Sequence, residues 1–298
     1  MYKNILIIGF GNMGKSHLKS FLISKRKYKI HVYDLKSVIK KEVKNFSNKI
    51  NFLSKFPQKK NYDLLILATS SKVRYTILSR LLSLNKIKNI ILEKFMFNKI
   101  HHYKKFDKYL SNNTNIRVNV NTWGNYLYRN LKINKSIIKS KDIKIYVPDG
   151  TMLTNFIHYF DFYLRDQERF QTKINFNKII NSKRKGYHEA LGKIEIKSNK
   201  NQMEIKTNKN IKYHTIYINK IYKIIIDYSK KFVVYKNDKI IQKINFPYAF
   251  KFSEKNFLNI NTKNKNYRFN NYDKISNLSC NFLKILKKYR KKEDIIIT

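Results

Sequence analysis

Three of the chain's seven glycines fall in one short run, Gly9-Phe10-Gly11-Asn12-Met13-Gly14. A glycine-x-glycine-x-x-glycine spacing works by shape rather than by reactive groups. The first glycine permits a tight turn, the second lets a backbone approach a pyrophosphate, and the third lets a helix pack closely on a strand. A helix that starts there also offers unpaired N–H groups and the positive end of its dipole to phosphate oxygens. The pattern is informative only between a buried strand and a helix. Asn4 to Gly9 (NILIIG) is the required apolar run, and Met13 to about Ser24 is the helical pattern, with Leu18, Phe21 and Leu22 on one side. Asp34 closes the next apolar segment, where a carboxylate accepts hydrogen bonds from the adenosine ribose and repels a 2′-phosphate. Gly9 to Gly14 with Asp34 therefore read as a dinucleotide site that prefers NAD. Lys36 and the basic surroundings keep NADP open, and Asp34 as a helix cap is the structural alternative.

The elements that must position this loop alternate along the first 120 residues. Strand-like runs at Ile30–Asp34, Tyr62–Thr69, Asn89–Glu93 and Ile116–Val120 are separated by helical patterns at Val38–Phe46, Val73–Leu84 and Ile100–Leu110. Alternation of this kind implies βαβ crossovers and a doubly wound parallel sheet. Thr151–Leu164 is an apolar helix candidate. From about Ile174 to Asn261 short alternating runs (KIEIK, QMEIK, HTIYIN, YKIIIDY, KFVVY, KIIQKINF) imply a mostly antiparallel sheet. Tyr272–Tyr289 carries Ile275, Leu278, Phe282, Ile285 and Leu286 at helical spacing. The expected fold is an α/β Rossmann domain over residues 1–120 and an α+β domain with a mostly antiparallel open sheet over 121–298. The change of periodicity sets that boundary, since no Pro- or Gly-rich linker marks it.

Composition narrows the class. A hydrophobic fraction of 42% fits a folded chain, no apolar run approaches a bilayer's thickness, and one cysteine, Cys280, excludes an internal disulfide and a multi-cysteine metal site. No metal is expected. The amino terminus runs directly into a strand-like segment, so no signal peptide is read and a cytoplasmic protein is expected. The net charge of +45 raises a nucleic-acid reading, but the basic residues are dispersed and abundant Lys, Asn and Ile fit an AT-rich coding sequence. The charge favours acidic small molecules instead.

With these residues in hand, the chain resembles the family of glucose–fructose oxidoreductase and myo-inositol 2-dehydrogenase, the Gfo/Idh/MocA oxidoreductases. Gly9–His17 (GFGNMGKSH) is similar to that family's glycine loop and its following histidine, and Glu93-Lys94 resembles its Glu-Lys-Pro signature. The resemblance implies that Thr69, Ser70, Glu93 and Lys94 border the cofactor, with Lys94 also near the substrate hydroxyl. It sets Thr154, His158 and Asp161 on one helical face toward the substrate, and it starts the substrate cleft at Asn121, Trp123 and Arg129. The implied reaction moves a hydride between NAD and a sugar or nucleotide-sugar hydroxyl or keto group, with His158 as general acid/base and Lys94 as electrostatic partner. Trp123 would pack on a sugar face and Arg129 would bind a phosphate or carboxylate, while Tyr126 reads as interface packing. A homo-oligomer formed through the second-domain sheet is also expected.

The sequence departs from the family at telling places. Phe95 stands where proline follows the lysine, Thr154 where an acid is usual, and Ser70 and Arg74 where proline and histidine are common. These changes raise a second reading, a non-catalytic dinucleotide-binding or redox-sensing module. A basic nucleic-acid-binding protein on a Rossmann scaffold is a third. Lys94 as a solvated strand-end residue and His158 as a hydrogen-bonded core residue are the plain alternatives.

Overall fold

The computed structural model describes residues 2–35, 50–134, 137–138, 142–163, 170–198, 201–228, 231–260, 272–289 and 296–297. The helix expected at Val38–Phe46, and Lys36, lie outside them. The chain forms two compact units, Met1–Asn121 with Pro247–Ser276, and Thr122–Phe246 with Asn277–Thr298.

The first unit is built on a six-stranded sheet of β1 (Lys3–Ile8), β2 (Tyr28–Tyr33), β3 (Ile50–Phe52), β5 (Leu64–Leu67), β7 (Asn89–Glu93) and β8 (Arg117–Asn121). Its order is β3-β2-β1-β5-β7-β8, and every pairing is parallel. Ile5 to Ile8, Leu64 to Leu67 and Ile90 to Leu92 are buried, so these strands carry apolar side chains on both faces. The helices are α1 (Asn12–Leu22), α2 (Ser71–Leu84) and α3 (Ile100–Asn112). The run expected as one strand at Tyr62–Thr69 is divided at Asp63, whose Oδ2 accepts the Asn4 N–H at 3.0 Å and whose own N–H donates to the Asn4 carbonyl at 2.9 Å. Before the break β4 (Asn61–Tyr62) pairs with β6 (Lys86–Ile87) as a separate ladder.

The structure departs from the expected antiparallel sheet at its end: within the tract up to Asn261, Ala249–Ile260 is a helix, α6, and it belongs to the first unit. Its Ser253, Asn256 and Phe257 are buried at a spacing of three and four, and Phe257 enters the core cluster of Ile5, Ile7, Phe10, Leu18, Phe21 and Val32. A tract so rich in Lys, Asn and Phe imitates strand alternation when scanned locally.

The second unit holds α4 (Gly124–Asn130), α5 (Met152–Tyr163) and an eight-stranded sheet of β9 (Ile143–Val147), β10 (Phe170–Asn181), β11 (His188–Ser198), β12 (Gln202–Thr207), β13 (His214–Ile218), β14 (Tyr222–Asp227), β15 (Lys231–Lys236) and β16 (Lys239–Asn245). The order is β10-β11-β12-β9-β13-β14-β15-β16, antiparallel except for the parallel pair β12–β9. One face buries Ile143, Ile145, Ile194, Ile205, Ile216, Ile224 and Val234, as period-two alternation requires. The closing helix α7 (Tyr272–Tyr289) places Phe282 in a stack on Phe156 of α5, with ring centroids 3.8 Å apart. Among the described residues no helix is long and apolar enough to cross a membrane.

Candidate functional site

In the first unit β1 lies between β2 and β5, so the chain runs in opposite directions across the sheet from that strand. A doubly wound sheet opens a crevice at the carboxyl ends of its strands at such a point. The glycine loop sits there, and its three glycines have separate reasons. Gly9 has φ +90°, and a Cβ on it would stand 3.0 Å from the Ala68 carbonyl at the end of β5. A Cβ on Gly14 would stand 1.9 Å from the Gly9 carbonyl oxygen. At Gly11 a Cβ would meet nothing within 4 Å. Gly9 and Gly14 are demanded by the fold, whereas the fold leaves room for a side chain at Gly11. The open space beside Gly11 and the start of α1, which no side chain caps, fit a pyrophosphate. Asp34, directly after β2, accepts a 2.7 Å hydrogen bond from the Phe10 N–H through Oδ2. The loop and the carboxylate are thereby fixed to each other, with Asn12 and Met13 in the first turn of α1.

Two strands along, Glu93 ends β7 with a buried carboxylate. His17 Nε2 lies 2.7 Å from Oε1, and the Asn121 side-chain amide donates to the same oxygen at 2.8 Å. His17 Nδ1 meets the Ser253 hydroxyl at 2.6 Å, so β7, β8, α1 and α6 share one polar network. Burial pushes the Glu93 carboxyl up, but the hydrogen bond and charge of His17, the Asn121 amide and the Arg74 guanidinium outweigh it and hold the group below its ordinary value. Lys94 follows, half-buried, and Phe95, Met96 and Phe97 are each fully buried. The described residues contain no cis peptide, so the Lys94–Phe95 bond is trans. Arg74, on the first turn of α2 and only 3% exposed, directs Nη1 to the carbonyls of Glu93 (2.6 Å), Phe95 and Met96 (3.2 Å), and Nη2 to the carbonyl of Thr69. Ser70 stands just before α2 as its extended cap residue.

The second unit brings a different group together. Gly124 lets α4 meet α5 backbone to backbone, since a Cβ there would come within 2.1 Å of the His158 carbonyl oxygen. The buried His158 ring stacks on Trp123 at 4.8 Å, and the Trp123 backbone N–H donates to His158 Nδ1 at 3.3 Å. Trp123 is 4% exposed, flanked by Tyr159, Phe232 and Phe246. Its ring therefore holds His158 in place of presenting the open platform that a sugar face would need. Asp161 is fully buried, and Oδ2 accepts the Thr122 hydroxyl at 2.8 Å and the Asn125 N–H at 2.6 Å, which caps α4. Thr154 shares the helical face of His158. Its hydroxyl and N–H, with the Leu153 N–H, go to the carboxylate of the buried Glu189 on β11. Arg129 lies exposed on the last turn of α4, bonded to Asn125 at 3.2 Å, and Tyr126 is half-buried.

Comparison with known proteins fits this geometry. Residues 3–122 match the model described as an oxidoreductase family with an NAD-binding Rossmann fold. They form a Gfo/Idh/MocA-family NAD-binding domain. Solved structures share the fold over nearly the whole chain. A dehydrogenase from Clostridium difficile is 13% identical with a TM-score of 0.67, covering 97% of this chain and 100% of its own. An oxidoreductase from Bacillus cereus is 12% identical with a TM-score of 0.64, over 98% and 97%. Biliverdin reductase from Synechocystis, solved with biliverdin and NADP+, is 10% identical with a TM-score of 0.63, over 97% and 99%. No curated protein matches the chain in sequence.

Three residues that build the site carry no local sequence signature. Arg74 reads as a simple replacement, Glu189 is one of two acids in a strand with two lysines, and Ser253 lies in a tract that reads as sheet. The available signal was scarcity, because a chain with 19 acidic residues against 64 basic ones does not bury a carboxylate such as Glu189 without partners.

Proposed function

We propose that the chain is an NAD-dependent oxidoreductase acting on a sugar or nucleotide-sugar hydroxyl or keto group. The observation that carries the cofactor half of this reading is the contrast among the glycines. Gly9 and Gly14 are fixed by backbone contacts, while Gly11 faces open space beside the Asp34 carboxylate and the start of α1. NAD would be held through the backbone of Gly9 to Gly14 and by Asp34, whose charge favours NAD over NADP. Thr69, Ser70, Glu93 and Lys94 lie at the carboxyl ends of β5 and β7. Bound NAD supplies the hydride acceptor or donor. The high positive charge supports an acidic substrate, with a nucleotide sugar meeting that condition better than a neutral sugar.

Lys94 and His158 act on the substrate oxygen with roles set by their surroundings. The Trp123 N–H at Nδ1 makes Nε2 the protonated nitrogen of a neutral His158 ring. His158 then donates a hydrogen bond from Nε2, and the Lys94 amine moves the proton. The family resemblance instead implies His158 as general acid/base and Lys94 as electrostatic partner, and the Lys94→Met and His158→Gln variants distinguish the two assignments. Thr154 and Asp161 position the His158 helix, and Asn121 and Arg129 remain the candidates for substrate contact. The half-buried Tyr146, Tyr217, Ile225, Val233 and Tyr235 on the other sheet face support assembly of copies through that sheet.

The test is thermal unfolding with NAD, NADH, NADP and NADPH for the native chain and Asp34→Ala, followed by a turnover screen of sugars and nucleotide sugars. Stabilisation by NAD(H) that weakens or moves to NADP(H) in the variant supports the cofactor reading. Lys94→Met is expected to abolish turnover, and His158→Gln, which keeps a donor near Nε2, to retain part of it. Equal losses in both variants, with the limb of the pH–rate profile near neutrality missing from His158→Gln, would return the proton to His158. Binding without turnover on any substrate would favour the non-catalytic module.

A further inference from the structure

We propose that Arg74 is a positioning residue whose guanidinium sets where Lys94 stands, by tying the end of β5 to the segment that follows β7. This rests on the reading of Lys94 as the group that meets the substrate.

The segment after β7 lacks regular backbone partners. Residues 94–99 belong to neither helix nor strand, so no ladder satisfies their carbonyls. Phe95, Met96 and Phe97 are nonetheless buried completely, which draws the backbone between them out of water. Buried carbonyls need donors. Tyr103 supplies the donor for the Phe97 carbonyl, at 2.9 Å, and its hydroxyl also receives the Phe97 N–H. The carbonyls of Glu93, Phe95 and Met96 turn to Arg74 Nη1, and Nη2 takes the carbonyl of Thr69. One planar cation thus bridges two strand ends at the edge of the sheet where the cofactor is placed.

Lys94 is the residue enclosed by this clamp. Its own carbonyl is not among the acceptors, but the carbonyls on either side of it, at Glu93 and Phe95, are. With both neighbours held by one rigid group, the direction in which residue 94 leaves the backbone is fixed. A trans peptide follows Lys94 and no proline ring stiffens the turn, so the constraint comes from a side chain instead of from the backbone. Only arginine can do this, because its fork of donors lies in one plane and serves several acceptors together, whereas a lysine ammonium is a single point.

The experiment measures Lys94 without needing a substrate. The full chain, Arg74→Lys and Arg74→Gln are labelled with acetic anhydride over a pH series in saturating NADH, and acetylation of Lys94 is read by peptide mass spectrometry. Lys88, whose side chain is 73% exposed on the same unit, is the internal reference. In both variants the ratio of Lys94 to Lys88 labelling is expected to change at least threefold. Methylguanidine added to Arg74→Gln is expected to restore the native profile. An unchanged Lys94 profile in variants that only melt earlier would make Arg74 an ordinary core residue and overturn the proposal. If neither variant folds, the positioning role is withdrawn in favour of a purely structural one. Loss of the Lys94 catalytic reading would show separately, as full turnover by Lys94→Met with the labelling result intact.

Discussion

Substituting Gly11 by alanine separates what the glycine loop does for the fold from what it does for a ligand. Gly11 has φ −69° and ψ −172°, which alanine adopts without strain, and its Cβ would meet nothing within 4 Å. Alanine restricts the unfolded chain, a gain of about 0.5 kcal/mol, and is a poorer N-cap than glycine by a similar amount. The stability of the ligand-free protein should therefore change by less than about 1 kcal/mol. The methyl group would, however, occupy the space assigned to the pyrophosphate. At a hundredfold excess of NAD over Kd the native chain gains about 2.7 kcal/mol, and a hundredfold weaker Kd would reduce that gain to about 0.4 kcal/mol. Gly14→Ala is the contrast, because its Cβ would stand 1.9 Å from a backbone oxygen and force the loop apart. That change should cost about 3 kcal/mol before any ligand is added. Scanning fluorimetry with and without NAD(H), with calorimetric titration for Kd, reads both effects. A Gly11→Ala protein that keeps the full NAD-dependent shift would refute the placement of the pyrophosphate.

Two other expectations come from buried groups. His31 of β2 has its pKa lowered to about 4 by burial and by the charges of Lys60 and Lys29. The unfolded chain then takes up the proton first, so stability is intact above pH 6.5 and falls by about 3 kcal/mol as pH drops toward 4. His31→Leu should flatten this window in urea unfolding, and an unchanged acid slope would reject the assignment. Glu189→Ala strips the Leu153 and Thr154 N–H groups of their acceptor and should cost on the order of 3 kcal/mol. Glu189→Gln should cost clearly less in the same denaturation series, and equal costs would mean that the carboxylate does not cap α5.

What could be read from the sequence follows the range of the interactions involved. Strands β1, β5 and β7 are buried on both faces and declare themselves as apolar runs, and the glycine loop lies between a strand and helix that local pattern identifies. Asp34 was legible because its distance from the loop is a property of the βαβ unit. The missed features depend on residues that meet only in space. Ser253 reaches His17 across 236 positions, and Glu189 caps a helix that starts 37 residues before it. Trp123 reads from the sequence as a surface for a sugar face, but the stack with His158 that buries it has no local signature. Arg74 was noticed as a departure, but its four carbonyl acceptors appear only once β5 and β7 stand side by side.

The borrowed helix α6 has a consequence for how the protein is made. The first unit takes Phe257 into its core, and it sets Ser253 against His17 and the Glu254 N–H against the Ser20 hydroxyl at 2.9 Å. A ribosome that has finished β8 must still translate the whole eight-stranded sheet before these partners exist, a delay on the order of ten seconds. During that interval the α1 face that carries Ser20 and Phe21 is bare, and His17 has only half of its hydrogen bonds. Until the chain returns, the nascent Rossmann unit exposes apolar surface of the kind that invites misassembly, and a fragment that stops at Asn121 would carry the glycine loop on an unfinished foundation.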